Sequence, residues 1–121
     1  MRGVLGKATA AEVRTAIGAI NEPGVGVIAG DVSNANAWWV KLSGAVPLII
    51  QGGYEYHSGT DRRTWYFPIA FPHACLSAMN TLMRDGSSGD GNNDTVCNLS
   101  NTSLNYRSDN GCGSYRIAIG Y

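Results

Sequence analysis

Charge is scarce in this chain. Only 15% of its 121 residues are Asp, Glu, Lys or Arg, and the nine acidic side chains equal the nine basic ones. Nucleic-acid binding needs Lys and Arg clustered against phosphate, and no such cluster is present. There is no polybasic run to hold an anionic membrane surface. Long apolar runs are missing as well. No segment approaches a transmembrane span, and Met1-Arg2-Gly3-Val4-Leu5-Gly6 lacks the apolar stretch of a secretion signal. The sequence therefore predicts no nucleic-acid partner and no membrane insertion.

Motifs for chemistry are equally thin. The three cysteines, Cys75, Cys97 and Cys112, are odd in number and match no zinc spacing. They read as small apolar residues with free thiols. Neither Gly-x-Ser-x-Gly nor His-Glu-x-x-His occurs, and Glu55, Asp61, Asp85, Asp90, Asp94 and Asp109 are scattered over loops. Asp90, Asn92 and Asp94 have the first spacings of a calcium loop, but Thr95 stands where Gly is needed and Asn101 where Glu is needed. His57 and His73 form no His-x-His pair. The chain is expected to be no enzyme, with no catalytic residue, no metal and no cofactor.

What the chain does have is glycine and short apolar strands. Sixteen glycines imply many turns and close backbone approaches. Val25 to Ala37 reads as irregular or as one poor strand. Strands are expected at Trp39 to Leu42, Leu48 to Gln51, Ala74 to Leu82, Thr95 to Leu99 and Ser103 to Arg107. Trp65, Phe67, Ile69 and Phe71 alternate with Tyr66, Pro68, Ala70 and Pro72, a period-two pattern with a heavy inner face. The prolines place it at a sheet edge or bulge. Tyr54 to Arg63 reads as a hairpin-like loop, Arg84 to Asp94 as a polar loop, and Ser108 to Gly113 as a tight turn. Tyr115, Ile117, Ile119 and Tyr121 share one face of a last strand, and Ile117 and Ile119 are expected to be core residues. Many short strands at such spacing indicate a β-sandwich.

The first twenty residues differ. Thr9-Ala10-Ala11-Glu12 fits a capping box, and Val13, Ala16, Ile17 and Ile20 follow as a helical apolar stripe. A helix of about ten residues is marginal alone and needs a surface to cover.

Several stretches, in order, carry a resemblance: Trp38-Trp39-Val40-Lys41-Leu42, Pro47-Leu48-Ile49-Ile50-Gln51-Gly52-Gly53, Tyr66-Phe67-Pro68-Ile69-Ala70-Phe71-Pro72-His73-Ala74-Cys75-Leu76, and Tyr115-Arg116-Ile117-Ala118-Ile119-Gly120-Tyr121. From Ala37 to Tyr121 the chain resembles the C-terminal domain of bacteriophage tail fibres and of the fibres on contractile bacteriocins. Lys7 to Gly18 resembles the linker that precedes that domain. The resemblance implies an all-β, β-sandwich-like fibre tip with a short N-terminal helix, assembled as a homotrimer. Residues 1–24 would be the helical linker from the shaft, and residues 25–121 the receptor-binding tip. Such a tip is made in the bacterial cytoplasm and carried on a virion or phage-tail-like particle. It attaches the particle by binding lipopolysaccharide, another surface glycan or an outer-membrane receptor. Two alternatives remain: a trimerisation or folding module without receptor contact, and a small glycan-cleaving tip.

Sugars are held by aromatic rings and by planar hydrogen-bonding side chains. Tyr54, Tyr56, His57, Asp61, Arg62 and Arg63 lie within ten residues and form one candidate binding cluster. Tyr106, Arg107 and Asp109 form a second near the next glycine turn. The competing reading is solvated turns with tyrosines lying on the sheet. Trp38, Trp39, Trp65 and Phe67 are expected in the core or at a subunit interface.

Overall fold

The computed structural model describes residues 9, 10, 12, 26–83, 95–108 and 111–121. Among the described residues eight strands run in chain order: β1 (Val27–Asp31), β2 (Trp38–Leu42), β3 (Ile49–Tyr56), β4 (Arg63–Tyr66), β5 (Cys75–Met83), β6 (Thr95–Cys97), β7 (Ser103–Arg107) and β8 (Gly113–Gly120). They form two antiparallel sheets, one of five strands ordered β1-β2-β3-β8-β5 and one of three ordered β4-β7-β6. The protein is all-β, as the strand pattern predicts.

Near the N-terminus both bonds of the capping box form. The Thr9 amide donates to Glu12 Oε2 at 2.6 Å, and the Glu12 amide donates to Thr9 Oγ1 at 3.2 Å. Ala10 and Glu12 are helical. The stripe Val13 to Ile20 and the loop Arg84 to Asp94 lie outside the described residues.

Several boundaries differ from the pattern. Val27 to Asp31 is a true strand, at the sheet edge. β3 runs on through Tyr54 to Tyr56, because β8 pairs with it along its whole length, from Ile49↔Gly120 to Tyr56↔Gly113. The stretch from Tyr54 to Arg63 is therefore no hairpin: β3 and β4 belong to different sheets, and residues 57–62 cross between them. Regular pairing of the Trp65 to Phe71 stretch stops at Tyr66, just before Pro68. Proline cannot donate to a ladder. The next residues are held by other means. The Phe67 amide donates to the Thr102 carbonyl at 2.9 Å and the Phe71 amide to the Asn101 carbonyl at 2.8 Å. The Gln51 carboxamide takes both groups of Ile69, donating to its carbonyl at 2.9 Å and accepting from its amide at 3.0 Å.

The core consists of Ile49, Trp65, Phe67, Phe71, Leu104, Tyr106 and Ala118. Three rings form an edge-to-face chain, with Trp65 5.0 Å from Phe67 and Phe67 5.1 Å from Phe71. Those bulky groups sit on or beside the three-stranded sheet. The five-stranded sheet answers with Ile49 of β3 and, on β8, mostly with small residues. On β8 the inward positions Ser114, Arg116, Ala118 and Gly120 are buried, as is Gly113 at its start. Ile117 and Ile119 alternate to the other side with Tyr115, which is exposed. The shared face of Tyr115, Ile117 and Ile119 is thus real, but it is the outer face, and the two isoleucines are not core residues.

Gly120 shows how tight the inner side is. A Cβ there would lie 2.3 Å from the Ala74 carbonyl oxygen and 2.5 Å from Phe71 Cδ1. Gly120→Ala is expected to destabilise the fold by roughly 1–3 kcal/mol through overpacking, read as a lower urea midpoint at unchanged slope.

Candidate receptor-binding surfaces

The predicted site residues separate into three places. Register and alternation put Tyr54 and Tyr56 on the outer face of the five-stranded sheet, where Tyr54 packs 5.1 Å from Tyr115. Asp61 and Arg62 are exposed in the crossover, and Arg107 is exposed at the end of β7. The other members point inward. His57 and Tyr106 are each 1% exposed, so neither can offer a ring face to a ligand. Burial corrects that part of the expectation: both rings lie between the sheets, 5.2 Å apart and edge-to-face. Asp109 lies outside the described residues.

Around those rings is an ionic cluster. Arg116, with a side chain 3% exposed, donates from Nη1 to Glu55 Oε2 at 2.8 Å. Arg63 Nη1 lies 3.4 Å from Glu55 Oε1, and the Tyr106 hydroxyl donates to Glu55 Oε2 in a short bond. The Arg116 guanidinium also lies over two rings, 4.5 Å from Tyr106 and 5.3 Å from Trp65. His57 Nε2 is 3.0 Å from Ser114 Oγ. Burial pushes the Glu55 carboxyl up, but the Tyr106 hydroxyl and the Arg116 charge outweigh it and hold the group below its ordinary value. Burial, reinforced by the bond to Glu55, pushes the Tyr106 phenol well up. A carboxylate already holding two arginines and a phenol is a structural anchor, with little left to offer a substrate.

Among the described residues no three His, Cys, Asp or Glu side chains gather where a metal ion could bind. Cys75, Cys97 and Cys112 are free thiols and half-buried.

The two outer faces of the sandwich differ sharply. The register of the five-stranded sheet places Trp38, Val40 and Leu42 of β2 beside Ile50, Gly52 and Tyr54 of β3. Beside those lie Tyr115, Ile117 and Ile119 of β8, then Ser77, Met79, Thr81 and Met83 of β5. None of these side chains carries a charge. Met79 and Met83 are each 55% exposed. The outer face of the three-stranded sheet is polar, with Thr64 and Tyr66 of β4, Ser103, Asn105 and Arg107 of β7, and Thr95 and Cys97 of β6. Tyr66 escaped the sequence reading of the site. The signal for it was there: with Trp65 and Phe67 turned inward, the residue between them must face out.

Comparison with known proteins agrees with this architecture. Over 97% of its length the chain is similar to an N-truncated R2-type pyocin tail fibre, at 22% identity and a TM-score of 0.66, and it spans 45% of that protein. A C-terminal piece of the R2 pyocin fibre of P. aeruginosa is similar at 23% identity and a TM-score of 0.66, over 99% of this chain and 31% of that one. An N-truncated R1-type pyocin tail fibre is 33% identical over 97% of this chain and 100% of that chain, with a TM-score of 0.57. No curated protein matches the chain. The fold is that of the C-terminal part of a phage-tail-like fibre. Residues 41–121 match the model of the gp53-like tail fiber proteins' C-terminal domain, and the chain belongs to that family. The proteins it matches are structural tail-fibre proteins.

Proposed function

We propose that this domain is the host-recognising tip of a tail fibre on a virion or phage-tail-like particle. It assembles as a homotrimer and binds a bacterial surface glycan, with lipopolysaccharide the foremost candidate. It acts by binding and not by catalysis. In this reading residues 1–24 form the helical lead-in from the shaft and residues 25–121 the tip. The likeness to an R1-type pyocin tail fibre at 33% identity over 97% of the chain carries the reading. The relatives' names speak of fibres, and recognition at a fibre's end is the inference added here.

The uncharged outer face of the five-stranded sheet supports self-association. In a threefold assembly the residues close to the axis meet their own copies, so any charge there faces its own sign. A face without charge meets that requirement. Tyr54 and Tyr56 then belong to the assembly side. Asp61, Arg62 and Arg107 remain for the receptor, where guanidinium groups suit the phosphates or acidic sugars of lipopolysaccharide.

Light scattering is expected to give about three times 12.8 kDa, and the purified protein is expected to sediment with host cells. Failure to bind cells in trimeric form would favour the folding-module alternative. Arg62→Ala combined with Arg107→Ala is expected to weaken cell binding, more so at low salt. The melting temperature should change little, as for most surface substitutions.

A further inference from the structure

We infer that the outer face of the β4-β7-β6 sheet is the saccharide site, with Tyr66 as the stacking platform and Thr64, Asn105 and Asn98 as its hydrogen-bonding edge. The inference rests on the reading of the domain as a glycan-binding tip and gives that reading a location.

Tyr66 is 74% exposed, more than any other large apolar or aromatic side chain among the described residues. The backbone beneath it is nevertheless firm. Trp65 and Phe67, its neighbours on either side, are both anchored in the core. The strand is paired at Tyr66↔Ser103, and the Phe67 amide is tied to Thr102. A ring held out on a fixed backbone loses little freedom when a ligand lies on it.

Beside the ring runs an ordered row of amides. Asn98 Nδ2 donates to Asn105 Oδ1 at 2.9 Å, and Asn105 Nδ2 donates to Thr64 Oγ1 at 2.9 Å. Asn98 has φ of 51°, a left-handed conformation that asparagine tolerates better than most residues. The row has a direction. It ends on the Thr64 hydroxyl proton, which remains to donate, and it begins at Asn98 Oδ1, which remains to accept. Asn105 and Tyr66 are diagonal neighbours across the pair, at about 7 Å by strand geometry. That spacing lets one pyranose ring lie on Tyr66 and reach the amide row with its hydroxyl groups.

The chemistry around Tyr66 suits a neutral hexose unit of the glycan, and Arg107 at the end of the same face is left for a neighbouring phosphate or acidic sugar. A sugar offers an apolar C–H face to the negative face of an aromatic ring, and its rim of hydroxyls both donates and accepts. A protein partner would want a contiguous apolar patch. Such a patch lies on the opposite side of the sandwich, while here a single ring stands among Thr, Ser and Asn, with exposed Arg107 farther along the same face.

The test uses the full chain on an array of bacterial O-polysaccharides and core oligosaccharides. The parent is expected to bind a subset, and Tyr66→Ala to lose roughly tenfold or more in affinity for them, the equivalent of one lost ring contact. Tyr66→Phe, which keeps the ring, is expected to stay near the parent, and Asn98→Ala to weaken binding severalfold. As a check that needs no variant, the bound saccharide should slow nitration of Tyr66, read by peptide mass mapping. A parent that binds no saccharide on the array would overturn the glycan reading and this site with it. A parent that binds while Tyr66→Ala binds equally well, or while Tyr66 is nitrated at an unchanged rate, would overturn this site and leave the glycan reading standing.

Discussion

Glu55→Ala is expected to lower the unfolding free energy by about 3 kcal/mol at neutral pH, a large share of a domain's usual 5–15 kcal/mol. The reason is what remains. Arg116, nearly sealed from water, keeps its charge and loses the carboxylate 2.8 Å away, and its Nε already lacks a hydrogen-bond partner. Tyr106 loses the acceptor of its hydroxyl as well. The reverse truncation should be milder. Arg116→Met fills the space with an apolar chain, while the Glu55 side chain, 42% exposed, can still be hydrated and still has Arg63 and Tyr106. Urea unfolding at one fixed protein concentration gives the comparison, since any self-association would make stability concentration-dependent. The pH dependence follows from the same group. Glu55 has a lowered pKa in the folded state. Its contribution is therefore complete above the ordinary carboxylate range and is lost as pH falls through the lowered value. Glu55→Gln should flatten that part of the acid limb, and an unchanged acid limb would remove Glu55 from the account.

Met79→Asp is expected to have the largest effect on assembly. Met79 pairs with Ile117 in the uncharged outer face and is 55% exposed in the single chain. In an isolated subunit the new carboxylate stays in water and costs little. In a trimer closed over this face, each of three copies would bury a charge without a partner, a cost of several kcal/mol per ion. The light-scattering mass should fall toward 12.8 kDa while the circular dichroism of the sheets is retained. A variant that remains trimeric would place the subunit contact elsewhere.

The strand pattern and the terminal motifs were legible in the sequence because alternation and turn chemistry are local. β7 runs from Ser103 to Arg107 as its residues predict. Which face of β8 looks inward was not local. Alternation sorts Tyr115, Ile117 and Ile119 from Ser114, Arg116 and Ala118, and hydrophobicity then favours burying the first set. The structure buries the second, because Trp65, Phe67, Phe71, Leu104 and Tyr106 already fill the space between the sheets. Only small residues, or an arginine whose guanidinium lies over two of those rings, fit opposite them on β8. The same reason explains the binding clusters. His57 reads as a polar loop residue and Tyr106 as a strand residue near a glycine turn, yet the position just after β3 and the alternation of β7 carry both rings into the interior beside Glu55 and Arg116. The outward position of Tyr66 was readable, but its row of amides was not, since it joins Thr64, Asn98 and Asn105 across three chain segments.

β8 lies between β3 and β5 and is paired on both edges. Both neighbours precede it in the chain, so during synthesis they leave the ribosome with nothing between them. Each then exposes an open edge, and β3 is rich in β-formers such as Ile49, Ile50, Tyr54 and Tyr56. Until β8 arrives, pairing can go to another nascent chain as readily as to this one. On a polysome, neighbouring nascent chains of this protein are close at hand. The timing of the final strand therefore sets a window in which a chaperone holding β3 would raise the yield of fibres, and a slow codon before residue 113 would lower it.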